Sequence, residues 1–208
     1  MTLPEKLQNI VEYRGVEGLV AAKLLTDNNV TGEGLTYGPI FAIAGVAEVT
    51  KAVEQGTEPH YYDNVPAVVI DSVGADTITI NASAIPLPVQ AELTGQTFME
   101  ATGALVEEEA TKPYFAVGYK TQKTDGSDVY VWRFKGKFQL GDQTNATKNN
   151  GTSANGQSIT YTGINTTHKF TATGKTAKGL VVDDGLGLAD VSTFFDDVTT
   201  PDTLQAKT

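Results

Sequence analysis

The run from Lys112 to Leu140, KPYFAVGYKTQKTDGSDVYVWRFKGKFQL, restricts the fold more than any other part of the chain. In its second half Tyr130, Trp132, Phe134, Phe138 and Leu140 share one parity, and Val129, Val131, Arg133, Lys135, Lys137 and Gln139 share the other. Successive side chains of a strand point to opposite faces, so the pattern predicts one buried aromatic face and one largely basic face left open. In the first half Phe115, Val117 and Tyr119 share a parity, and Thr124-Asp125-Gly126-Ser127 supplies residues that tolerate positive φ at a reversal. The expectation is a β-hairpin with Tyr130, Trp132, Phe134 and Phe138 as core anchors.

A chain of 208 residues can bury enough apolar surface to fold as one large all-β domain, and residues 1–208 read as one such domain. With no cysteine, disulfides, thiolate metal sites and cysteine nucleophiles are excluded. There is no basic and apolar leader at the N-terminus, and no run approaches the ~20 apolar residues of a membrane helix, so the chain reads as soluble, with no membrane partner.

Taken in order, Leu7 to Glu17 reads as irregular, and Gly18 to Asp27 as helix or strand by composition, with strand favoured. Thr36 to Val53 alternates as a strand bent at Gly45, and Glu54 to Pro66 has no sustained period and reads as a long loop, centred on 55–66. Ala67 to Asp71 and Thr77 to Ser83 look like the two strands of a second hairpin, turning at Ser72 to Asp76. Pro88 to Leu93 reads as one short helix stopped by Gly95, and Thr102 to Ala110 as a further strand. The stretch 141–157 is rich in Asn, Thr, Gly and Ser, the signature of a second long loop. Ser158 to Lys169 returns to alternation, and 170–208 reads as an irregular C-terminal segment with Phe194-Phe195 as a short docked element. The fold class is therefore mainly all-β: an antiparallel β-sandwich or open barrel of about seven or eight strands with one or two short flanking helices.

Chemistry finds little footing. His60 and His168 are the only histidines, and without cysteine a zinc site would need carboxylates at a spacing the sequence does not show. Val181 to Asp190 lacks the third glycine and the βαβ setting of a dinucleotide loop, and Asp125 to Asp128 is explained as a turn rather than a calcium loop. Neither catalytic residues nor a cofactor or metal are expected.

Several segments together resemble the major tail proteins of long-tailed, non-contractile bacteriophages, in particular those infecting Gram-positive bacteria. They are Thr36-Tyr37-Gly38 with Ala44-Gly45, Tyr61-Tyr62-Asp63-Asn64, Val117-Gly118-Tyr119-Lys120 and, most specifically, Val131-Trp132-Arg133-Phe134-Lys135-Gly136-Lys137-Phe138. The resemblance runs from about Gly18 to Ile164, and the sequence departs from the family pattern at Gly141 to Gln157 and Gly174 to Gly187. It implies a tail-tube-like fold and a structural virion protein that self-assembles into stacked homohexameric rings. Those rings would form the tube through which DNA is delivered. It further implies tape-measure, tail terminator and baseplate proteins as partners, DNA that passes without specific binding, and a place in the virion tail after assembly in the host cytoplasm. The all-β pattern with its Thr/Asn/Gly composition also permits an Ig-like adhesion or pilin-type binding module.

Charge gives this reading its site residues. The formal net charge is −10, and no Lys or Arg occurs between Lys51 and Lys112. A conduit lined by carboxylates repels phosphates, which puts Asp71 and Asp76 forward as channel lining. The basic parity of the hairpin must then face elsewhere, and Arg133, Lys135 and Lys137 are expected at the interface with a neighbouring subunit. Charge runs are more often solvated faces, and that bland reading applies to both groups.

Overall fold

The computed structural model describes residues 10–29, 34–62, 64–141, 143 and 156–207. In chain order its elements are β1 (Tyr13–Asp27), β2 (Leu35–Ala42), β3 (Val46–Tyr62), β4 (Val65–Ala82), α1 (Leu87–Thr94), β5 (Thr97–Met99) and β6 (Ala104–Val106). Next come β7 (Phe115–Lys123), β8 (Asp128–Leu140), β9 (Gln157–Gly163), β10 (Gly179–Asp183), β11 (Ala189–Asp190) and β12 (Gln205–Ala206). Eight strands form one antiparallel sheet in the order β2-β1-β7-β8-β9-β4-β3, with β10 beside the first half of β8, where β9 does not reach. The sheet is open rather than closed into a barrel, and the fold is all-β with a single short helix among the described residues.

The β7–β8 hairpin forms where the alternation predicted it. Its turn is fixed by Asp125, whose carboxylate accepts from the Ser127 backbone N–H at 3.0 Å and from the Ser127 hydroxyl at 2.6 Å, while Gly126 takes φ 88°. Gly118 stands opposite Trp132, and a Cβ there would fall 2.8 Å from the indole, so the glycine makes room for the ring.

The prediction of one open face is corrected. Val129 and Val131 are buried in a core cluster with Leu19, Ile78, Ile80, Leu93, Phe115, Val117, Ile159 and Tyr161, while Trp132 and Phe134 join Ala22, Phe170, Val182 and Phe194 on the opposite face. The second face is covered because the C-terminal segment folds back across it: Trp132 Nε1–H donates to the Phe194 carbonyl at 3.0 Å, and the Trp132 and Phe195 rings lie 5.6 Å apart.

Phe138 does not share the face of Trp132. Phe115 pairs with Gly136 but Val117 pairs with Arg133, so β8 carries one extra residue at this point, a bulge that reverses the facing of the rest of the strand. Phe138 and Leu140 consequently pack in the first cluster, with Phe138 5.0 Å from Tyr161 ring to ring.

Other boundaries also move. β1 begins at Tyr13, inside the stretch read as irregular, and the strand expected across Thr36 to Val53 is two strands, broken at Ile43 to Gly45. At that break Ile43 N–H donates to Leu19 O at 3.1 Å and Ser83 N–H to Gly45 O at 2.7 Å, drawing β1 and the end of β4 together at one point. The hairpin expected within Ala67 to Ser83 does not exist: β4 runs unbroken through it, and Gly74 lacks the positive φ of a turn glycine. Of Thr102 to Ala110 only Ala104–Val106 is strand. The helix matches its expectation, with a proline in its first turn and Gly95 at φ 76° donating to Ala91 O, and it seats Leu93 in the first cluster. The loop expected at 141–157 lies almost wholly outside the described residues.

Candidate assembly surface

Among the described residues, the far half of the β3–β4 hairpin gathers the largest group of exposed large hydrophobics. The stretch 55–66, expected as a loop, continues β3 to Tyr62 in register with β4, Glu58 opposite Ile70 and Tyr62 opposite Val65, and the chain reverses with Asn64 at φ 65°. Near its root the same ladder buries Ile78 and Ile80 completely. Beyond Val53 the described side chains of both strands are solvent-facing: Tyr61, Tyr62, Val65, Val68, Val69, Ile70 and Val73 are 48% to 64% exposed. Scattered exposed hydrophobics are ordinary, but this many on one paired ribbon make a contiguous patch of the kind that marks an interaction site.

The root of this arm is clamped. Asp76, 3% exposed, is met by Lys178 at 3.0 Å, Lys51 at 3.4 Å and Arg133 at 3.6 Å, and Lys178 also donates to the Gly74 carbonyl. Burial pushes the Asp76 carboxyl upward, but the Lys178 hydrogen bond and the charges of Lys51, Lys178 and Arg133 outweigh it and hold it below the usual carboxylate range. One carboxylate thus faces three cations, and Arg133 Nε is buried without a partner.

These contacts relocate the residues that the charge map singled out. Asp76 is no free lining charge, since its carboxylate is enclosed by the chain's own cations. Asp71 pairs through its backbone with Thr57 on the arm, and its side chain lies outside the described residues. Arg133 turns inward to Asp76, and Lys135 donates to Asp27 at 2.6 Å, so neither stands free on an open face. Lys137 lies 4.6 Å over the Tyr114 ring. Of the anchors, Trp132, Phe134 and Phe138 are fully buried, and Tyr130 is partly buried against Phe194 at 5.2 Å.

Asp27 is a hub that no sequence pattern announced. It accepts from Lys135 and from the backbone N–H groups of Thr167 and His168 at 2.9 and 2.8 Å, tying the end of β1 to the segment before the C-terminal fold-back. Burial raises its carboxyl, and the hydrogen bonds from Lys135, Thr167 and His168 more than offset this, leaving it below the usual range. Its partners are more than a hundred residues away, which is why the local sequence carries no signal.

A second uncovered feature lies beside the arm root. β2 pairs with β1 only from Val20 onward, so the Tyr13–Leu19 stretch of β1 has no strand on that side, and β3 is the other edge of the sheet. Between them opens a cleft of about 580 Å³, walled by Val16, Val49, Tyr119, Val131, Val181 and, at its charged side, Glu48 and Lys51.

Comparison with known protein families matches residues 40–197 to the family described as phage tail tube protein. Among solved structures, the cryo-EM structure of the anti-feeding prophage baseplate, 6-fold symmetrised, contains a similar chain at 13% identity and a TM-score of 0.31, covering 88% of this chain and 97% of that one. A likeness of that strength carries no argument. Comparison with curated proteins finds no match.

Proposed function

Because this chain belongs to the phage tail tube protein family, we propose that it is the structural subunit of a long, non-contractile tail, assembling with copies of itself into stacked hexameric rings that enclose the path of the DNA. The observation that carries this reading is the β3–β4 arm, a paired ribbon with apolar side chains exposed on both strands. Beyond Val53 its eight residue pairs extend on the order of 25 Å at about 3.3 Å per residue, enough to reach from one subunit onto another. Burying its side chains in a neighbour removes the apolar area that the isolated chain leaves in water, the usual driving force for association.

Passage of DNA fits the net charge of −10, because a wall of carboxylates repels phosphates instead of binding them with release of counterions. Asp71 keeps its place in this proposal as a lining residue, and Asp76 leaves it. Lys137 remains a residue for the neighbouring subunit. Tape-measure, terminator and baseplate proteins are the further partners, and the assembled virion tail is the location.

The test is negative-stain microscopy and sedimentation of the purified protein across a concentration series. Six-fold rings or tubes are the expected result. A monodisperse monomer at every concentration and salt condition would overturn the reading.

A further inference from the structure

Two uncovered surfaces of this chain match each other. One is the arm beyond Val53, apolar on both strands and carrying Glu58, an exposed carboxylate. The other is the cleft between β1 and β3, with apolar walls and with Lys51 and Glu48 on its β3 side. Lys51 shares the single carboxylate of Asp76 with Lys178 and Arg133, which leaves its positive charge only partly answered. The complementary sign is built into the arm, since no Lys or Arg occurs from Ala52 to Thr111.

We propose that the arm of one copy docks into the cleft between β1 and β3 of another copy, its apolar side chains on Val16, Val49, Val131 and Val181 and its Glu58 carboxylate over Lys51. This rests on the tail-tube reading above and names the receiving surface for its arm. The occupant is a second copy because the arm leaves β3 two residues beyond Lys51, which walls the chain's own cleft, and a paired ribbon cannot double back over two residues to fill it. The unpaired edges on either side of the cleft, residues 13–18 and the start of β3, offer an incoming strand main-chain hydrogen bonds as well. A contact between two different surfaces of the same chain is heterologous and repeats from copy to copy, closing a ring or extending a stack according to its rotation.

The chain has no cysteine, so introduced thiols report this contact without background. Chains carrying His60→Cys are mixed with chains carrying Tyr13→Cys, both exposed positions with the second on the cleft rim, under conditions in which the unmodified protein forms tubes. A short bis-maleimide should then join the two chains, and should fail to do so when Thr171→Cys, an exposed position on the C-terminal segment, replaces Tyr13→Cys. Val181→Glu, at an exposed wall of the cleft, should keep its melting curve and lose both tubes and cross-link. Tubes that form without any link between positions 60 and 13, or that survive Val181→Glu, would overturn the docking and leave the tail-tube reading standing. If the unmodified protein never associates, the tail-tube reading fails, and this contact falls with it.

Discussion

Two long hairpins of this chain are built alike and used in opposite ways. β7–β8 lies in the middle of the sheet and is buried on both faces, by the helix and the rest of the sheet on one side and by the fold-back carrying Phe170 and Phe194 on the other. β3–β4 lies at the edge, and beyond Asp76 neither of its faces meets the rest of the chain's core. The difference shows that backbone pairing alone does not decide what a hairpin contributes. The first supplies stability because both its faces leave water on folding, while the second leaves its apolar side chains in water.

The largest effect that sharpens this contrast is at Trp132. Trp132→Ala removes a fully buried indole and its hydrogen bond to Phe194, and should cost about 3–5 kcal/mol, enough to give unfolded or insoluble protein. Equilibrium denaturation measures it, and an unchanged midpoint would break the claim that this hairpin is the structural centre.

Next comes the clamp between the two regimes. Asp76→Asn leaves three cations short of their carboxylate and should cost about 1.5–3 kcal/mol, with faster hydrogen exchange at the arm root. The wild-type pH profile should carry the same signature. Asp76 and Asp27 both titrate below their ordinary value of 3.8 in the folded chain, so their stabilisation is complete above that value and is lost as pH falls through the depressed folded values. Urea midpoints in acid should therefore fall more steeply for wild type than for Asp76→Asn, and parallel profiles would contradict the assignment.

Gly118→Ala should be somewhat milder, about 1–3 kcal/mol, since a methyl 2.8 Å from the indole forces Trp132 to shift within a filled core. Thermal melts decide it. The smallest effect on folding is expected on the arm, where Val69→Ser with Ile70→Ser should change stability by no more than about 0.5 kcal/mol per site. The same pair should abolish assembly in sedimentation. A large loss of stability there would erase the distinction between the hairpins.

That distinction also explains what the sequence disclosed. β8 is legible because its two parities differ in kind, aromatic against basic and β-branched. The arm is not, because period-2 patterning arises from having one wet and one dry face, and residues 54–62 have two wet ones. Its Gly56 and Pro59 then read as loop, and the neighbouring Ser72 to Asp76 as a turn, when pairing with β3 carries the chain straight through. The bulge in β8 leaves no mark either, so simple alternation puts Phe138 on the face of Trp132. At the candidate site, composition locates the acidic stretch but not the partners of its residues. Asp76 looks free because Lys178 and Arg133 reach it from distant parts of the chain.

The pairing of β1 with β7 sets Tyr13 opposite Lys123. It bears on how the chain is made. The turn at Asp125 closes a short loop and costs little entropy, whereas β1 must wait for a partner more than a hundred residues downstream, and the Trp132 lock waits further still, for Phe194. By loop closure alone, the central hairpin is expected before β1 joins it, and the fold-back last. The apolar arm is made before the body that anchors it is complete, and the uniformly acidic charge of its segment opposes contact between chains in that interval.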